Sequence, residues 1–194
     1  MNVIDWFNGK SVATVGNAQF LFDKDYGKLI DSHDVVVRLN KGAMIPNLPK
    51  ISHGVKMDIV IASRWNLVKY FHKKYIIKKS MFTDIKFIMC GRHGRDDLKQ
   101  PIEQKIWYYP LPRHKELKWQ LLNLEKKQDP STGIIALDII SHGNPKSVSI
   151  FGFDWKETPT FYDLNRQHEP HVYDVEKEYC LNYFVDNLGY TYYK

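Results

Sequence analysis

The chain alternates between short, nearly continuous apolar runs and stretches whose apolar residues recur every three or four positions. Residues 10–16 form the first run, through Val12, Ala13 and Val15, and it ends at Gly16-Asn17, where the chain must turn sharply. Residues 34–39 repeat the pattern with three successive valines and end at Asn40-Lys41-Gly42. Residues 58–62 and 85–90 do so again, the latter running into Gly91. Runs that are apolar throughout predict strands covered on both faces, as in a parallel sheet. Between them, residues 25–32 and 64–74 read as helical, and residues 43–56, with Pro46, Pro49 and Gly54, read as loop. Residues 106–109 fit a short fifth strand. Residues 113–128 place Leu117, Leu121, Leu122 and Leu124 among charges, which predicts a surface helix.

Residues 129–155 are the densest stretch. Pro130 cannot continue a strand, and Ser131 and Thr132 are residue types that start helices. Ile134, Ile135, Ala136, Leu137, Ile139 and Ile140 make the following turns apolar nearly all round, which predicts a buried helix. Residues 147–151 alternate as a strand and deliver Gly152-Phe153-Asp154. A buried helix opening on Ser131-Thr132-Gly133 aims backbone N–H groups and hydroxyls at one spot, which suits a phosphate. The plainer reading is an ordinary capped core helix, and these residues alone favour it. A polar loop over 156–169 follows, then helical spacing over 171–188 and a last strand over 190–193. The whole predicts a single α/β domain over residues 1–194, a Rossmann-like, mostly parallel sheet flanked by helices. Such sheets bind ligands beyond the carboxyl ends of their strands. Asn17, Asn40, Gly91 and Gly152 mark that rim.

Composition narrows the partners. With 43% hydrophobic and 26% charged residues, wholesale disorder is excluded. The net charge of +6 favours anionic partners: nucleotides, nucleic acid, or acidic lipids and glycans. Cys90 and Cys180 are too few for a disulfide scaffold or a cysteine zinc site, so a cytoplasmic location is expected. The first ten residues lack a basic segment followed by an apolar core, and no run approaches the roughly 20 apolar residues of a membrane span.

Neither the dinucleotide glycine signature nor a Walker loop is present. Asn17 and Asn40 at two strand ends offer amides that can contact a phosphate, ribose or base without bringing charge. Asp23-Lys24-Asp25 fits the Asp-x-Asp pattern of some sugar-transfer enzymes, yet charge at the start of the next helix explains it better. His171, at the start of the C-terminal helix after Pro170, is the candidate general base, imidazole having a reference pKa of about 6.5. His93, His142 and His168 stay open as alternatives. Residues 69–79 interleave five lysines with aromatics. Lys73, Lys74, Lys78 and Lys79 could follow an acceptor or a phosphate backbone. A solvated helix face, with lysine stems over apolar rings, carries more weight.

These pieces match one family. Val15-Gly16-Asn17 with residues 29–40 (Leu-Ile-Asp-Ser-His-Asp-Val-Val-Val-Arg-Leu-Asn) resembles the large sialyl motif of glycosyltransferase family 29, the sialyltransferases. Residues 130–133 through 147–153 resemble its small motif, Phe161-Tyr162-Asp163 is similar to the third, and His171 with Glu176 resembles the very small motif. The four occur in the family's order. The resemblance implies a CMP-activated sugar donor and metal-independent, inverting transfer, with no cofactor beyond the nucleotide-sugar co-substrate. By position, Asn17, Asn40, Ser131, Thr132, Gly133 and Gly152 would hold the donor and His171 would deprotonate the acceptor hydroxyl.

The departures matter too. Val12 stands where the family has a motif cysteine and residues 144–146 lack its partner, so the family's disulfide is gone. Thr160 or Phe161 replaces the third motif's histidine, which in the family contacts the donor phosphate, leaving donor identity open. The lack of a membrane anchor and stem suggests a bare catalytic core of microbial or viral origin. The acceptor expected first is a glycan. A second reading keeps the fold but uses another nucleotide-sugar on a hydroxylated base in DNA, which would have to be flipped out of a duplex. A third is a non-catalytic nucleotide- or nucleic-acid-binding module. The sequence leaves the oligomeric state open.

Overall fold

The structure is a computed structural model that describes residues 3–44, 48–63, 85–90, 106–162 and 171–194. The apolar runs become β1 (Ser11–Val15), β2 (Val35–Leu39), β3 (Ile59–Ser63), β4 (Lys86–Cys90), β5 (Ile106–Tyr108), β6 (Ser147–Phe151) and β7 (Thr191–Tyr193). They form one sheet in the order β5-β4-β3-β2-β1-β6-β7, with every pair parallel. The order runs outward from β1 in both directions, so a crevice opens beyond the carboxyl ends of β1 and its neighbours.

Alternation along the strands divides the core between the two faces. Val12, Val35, Val37, Ile59 and Ile61 join the large cluster on one face, together with the helices described next. Ala13, Val15 and Val36 pack on the other with Leu21, Ile30 and Phe151. The opposite end of the sheet is stapled by Asp34, which accepts bonds from Ser11 N at 2.8 Å and Ser11 Oγ at 2.7 Å.

Five helices accompany the sheet among the described residues: α1 (Gly27–Asp31), α2 (Lys50–His53), α3 (Leu111–Glu116), α4 (Thr132–Ser141) and α5 (Tyr173–Tyr179). Both α3 and α5 run on as π-helical segments, Leu117–Leu121 and Cys180–Asn187. Residues 134–140 of α4 are all buried, as its all-round apolar pattern requires. Each aliphatic side chain so buried contributes about 1.5–3 kcal/mol.

Three expectations need correction. α1 begins at Gly27, so exposed Asp23 and Asp25 precede its first turn and do not charge its N-terminus. The expected loop over 43–56 contains α2, a single turn between Pro49 and Gly54. The expected surface helix over 113–128 ends at Leu122, and Leu117, Lys118, Leu122 and Leu124 are buried. Its leucines serve a helix and a returning loop together, a pattern that spacing alone cannot separate. The predicted helix over 64–74 and the turn at Gly91 lie outside the described residues.

Candidate active site

The crevice is built where β1 and β6 end. The Gly16 amide donates to Phe151 O at 2.7 Å, and a Cβ on Gly16 would fall 2.2 Å from Gly152 O. Gly152 itself has φ 66°, a conformation open mainly to glycine. The two strand ends therefore touch backbone to backbone, leaving the rim unobstructed by side chains at that point.

Asn17 and Asn40 close the β1–β2 side. Asn17 Nδ2 donates to Leu39 O at 3.2 Å, and Asn17 O accepts from Phe161 N at 3.1 Å. Asn40 sits in the left-handed region at φ 48°, which asparagine tolerates better than most residues. Its Oδ1 accepts from Ser63 N at 2.9 Å and lies 3.5 Å from the Thr132 hydroxyl, which donates to it. That contact joins the β2 end to the start of α4.

At α4, Ser131 is extended (φ −66°, ψ 158°) and its hydroxyl accepts from Ile134 N at 3.3 Å, the ordinary N-cap geometry. A Cβ on Gly133 would meet a ring carbon of Phe153 at 2.7 Å, so glycine lets the ring seat against the first turn. The backbone amides of that turn point outward with the positive end of the helix dipole.

His171 stands beside this cap. Its Nδ1 lies 2.6 Å from Asp129 O. A backbone carbonyl can only accept, so Nδ1 carries the proton and Nε2 the lone pair in the neutral ring. Five residues on, in α5, fully buried Glu176 accepts from Ser131 N at 2.7 Å. The start of α5 is thereby bonded to both sides of Pro130.

The expected positions thus converge: Asn17, Asn40, Ser131, Thr132, Gly133, Gly152 and His171 surround one rim. His142 does not belong to it. It caps the far end of α4, bonded to Asp138 O at 2.7 Å, and a ten-residue helix is about 15 Å long. His93, His168, Asp163 and the lysines 73, 74, 78 and 79 lie outside the described residues. Cys180 is buried, and burial pushes its thiol up to about 12, leaving it unreactive.

No local pattern singles out His53. The residue is 1% exposed, and its ring packs edge-on against Phe22 and Phe161, with centroids 4.6 and 5.4 Å away. Phe22 and Phe161 also touch, at 5.5 Å, closing an aromatic triangle. Gly16, Asn17, Arg38, His53 and Phe161 line a cavity of about 10 Å³, the room for about one water. Burial, then the nearby Arg38 charge, lowers His53 to about 4, so it is neutral at pH 7. Arg38 donates to His53 O at 2.7 Å and Lys56 O at 2.9 Å, and burial lowers it to about 10. Phe161, in the segment resembling the third motif, is therefore a rigid wall behind Asn17. Among the described residues no group of three His, Cys, Asp or Glu could hold a metal, and no helix is long and apolar enough to cross a membrane.

Several solved structures with this architecture are sialyltransferases. A mammalian sialyltransferase superposes with a TM-score of 0.66 at 19% identity, covering 96% of this chain and 69% of that one. The monofunctional α-2,3-sialyltransferase Cst-I of Campylobacter jejuni gives 0.67 at 16% identity, covering 95% and 75%. CstII of the same organism, in complex with the substrate analogue CMP-3FNeuAc, gives 0.58 at 12% identity, covering 95% and 79%. The fold is that of the sialyltransferases. Residues 8–98 match the family model described as glycosyltransferase family 29 (sialyltransferase). Over those residues the chain is similar to that family, and its fold is sialyltransferase-like. Curated proteins yield no match.

Proposed function

We propose that this chain transfers a sugar from a CMP-sugar to an acceptor hydroxyl, with inversion and without a metal, using His171 as general base. The observation that carries the reading is the Nδ1 contact with Asp129 O, which gives His171 the tautomer a base requires and sets it beside the Ser131-Thr132-Gly133 helix start. The acceptor O–H gives its proton to Nε2 while its oxygen bonds to the anomeric carbon. The bond from that carbon to the nucleotide phosphate breaks, and the phosphate leaves with the electron pair. Amides at the start of α4 stabilise the departing charge, and the rim supplies orientation.

CMP is favoured because the related CstII is described with CMP-3FNeuAc and with cytidine-5'-monophosphate. A glycan is the favoured acceptor because a mammalian relative is described in complex with Gal-beta-1-3GalNAc-ortho-nitrophenol. The DNA alternative rests on net charge, the lysine-rich stretch and the replaced third-motif histidine, and no structure cited above is described with DNA. A thermal-shift panel of CMP, UDP, GDP and ADP tests the donor, because a ligand specific to the folded state raises the midpoint. CMP is expected to give the largest shift. No shift with any nucleotide would sink the donor-site assignment.

A further inference from the structure

We infer that Lys118 is a positioning residue that sets the tautomer of His171 through the Asp129 loop. Lys118 is charged, only 3% exposed, and distant in sequence from every motif above. It grips the loop after the π-helical segment at three points. Its carbonyl accepts from Leu124 N at 2.8 Å. Its ammonium donates to Lys126 O at 3.0 Å and to Asp129 Oδ1 at 3.0 Å. The loop stiffens further at its own turn, where Gln128 Oε1 accepts from Glu125 N at 2.8 Å and Glu125 O from Gln128 N at 3.1 Å.

A buried ammonium is costly unless bonded, so these contacts are strongly preferred over alternatives in which the loop swings away. Asp129 is the residue whose carbonyl accepts from His171 Nδ1. Its side chain is held by Lys118, and the following Ser131 amide is held by Glu176. Lys118 therefore fixes the acceptor that decides which imidazole nitrogen carries the proton. In water the Nε2–H tautomer is readily populated, and it would present a proton where the acceptor hydroxyl needs a lone pair.

The kinetic part of this inference rests on His171 being the base; the tautomer part does not. Nitrogen-15 NMR of the imidazoles in the intact chain reads the tautomer directly, and transfer kinetics are measured alongside. Lys118→Met keeps the stem and removes the ammonium. It is expected to populate Nε2–H at His171 and to lower kcat at least about tenfold, with donor KM within about threefold, as for a displaced catalytic group. If Lys118→Met does not fold, Asp129→Ala serves, since Lys118 then retains the Lys126 carbonyl; the same tautomer change is expected. A His171 that stays Nδ1–H with unchanged kcat in the folded variant overturns the inference. Full activity in His171→Ala overturns the general-base reading alone, leaving the NMR result to decide the role of Lys118.

Discussion

The two walls of the crevice are held in different ways. On the β1–β2 wall, Asn17 and Asn40 bond to backbone 22 and 23 residues away, between adjacent parallel strands. On the α4–α5 wall, His171 and Glu176 reach back 42 and 45 residues to Asp129 and Ser131. The family model spans only the first wall, residues 8–98, whereas the fold match runs through both. The first wall is dictated by sheet pairing and by glycines that allow no Cβ. The second adds a few long-range polar contacts to the apolar packing of α4 against α5 and its π-helical extension. Losses of chemistry are therefore expected from the second wall, and losses of structure from the first.

The largest test of that division is His171→Ala. General-base removal is expected to lower kcat by roughly 10²–10⁴-fold, with donor KM and the melting temperature nearly unchanged. Steady-state transfer and thermal unfolding measured on the same preparation check both halves. Substantial retained kcat would mean that the second wall does not carry the proton transfer.

Gly16→Ala addresses the first wall. The added methyl would meet the Gly152 carbonyl at 2.2 Å, a backbone atom that cannot rotate away. Unfolding in urea is expected to show a loss of at least about 2 kcal/mol, in the range of severe core defects. Nucleotide binding should weaken with it. A stable variant would show that β1 and β6 can separate at the rim.

Much of this division was legible in the sequence. β1, β2, β4 and β6 fell where apolar runs end in glycine or asparagine, and α4 followed from Pro130, Ser131 and its apolar turns. Pairs that meet only through the fold were not legible. Lys118 looked like one more surface lysine because its acceptors, Lys126 O in the stretch assigned to helix and Asp129 beyond it, meet its ammonium only once the chain turns back. His53 was hidden in Ser-His-Gly between loop signals, and its burial depends on Phe22 and Phe161, which are remote in sequence. Helix α2 is one turn long, too short for any periodicity to register.

His53 offers a probe of the first wall through pH. Its folded pKa lies near 4 against a reference of 6.5, so the unfolded chain binds the proton more readily between those values. Its contribution to stability is complete above pH 6.5 and falls away as pH drops towards 4. Near pH 5 the loss is on the order of 1–2 kcal/mol. His53→Phe keeps an aromatic between Phe22 and Phe161 and removes the titration, so its stability should vary less over that window. Urea unfolding at several pH values compares the two curves; parallel curves would show that His53 is not held neutral by its burial.

The smallest effect is expected from Ser131→Ala, and it separates the two functions of the α4 start. The substitution removes the hydroxyl that caps Ile134 N but leaves the Ser131 amide bonded to Glu176. Stability should fall by about 1 kcal/mol, the usual cost of losing such a cap. His171 should keep its contact with Asp129 O, because that carbonyl is held from the other side, so kcat at saturating donor should change little. CMP affinity should drop, since a frayed first turn no longer presents its amides as a fixed anion site. Calorimetric titration with CMP reads that loss, and a kcat collapse at saturating donor would mean that the cap, rather than the bonds across Pro130, holds the second wall together.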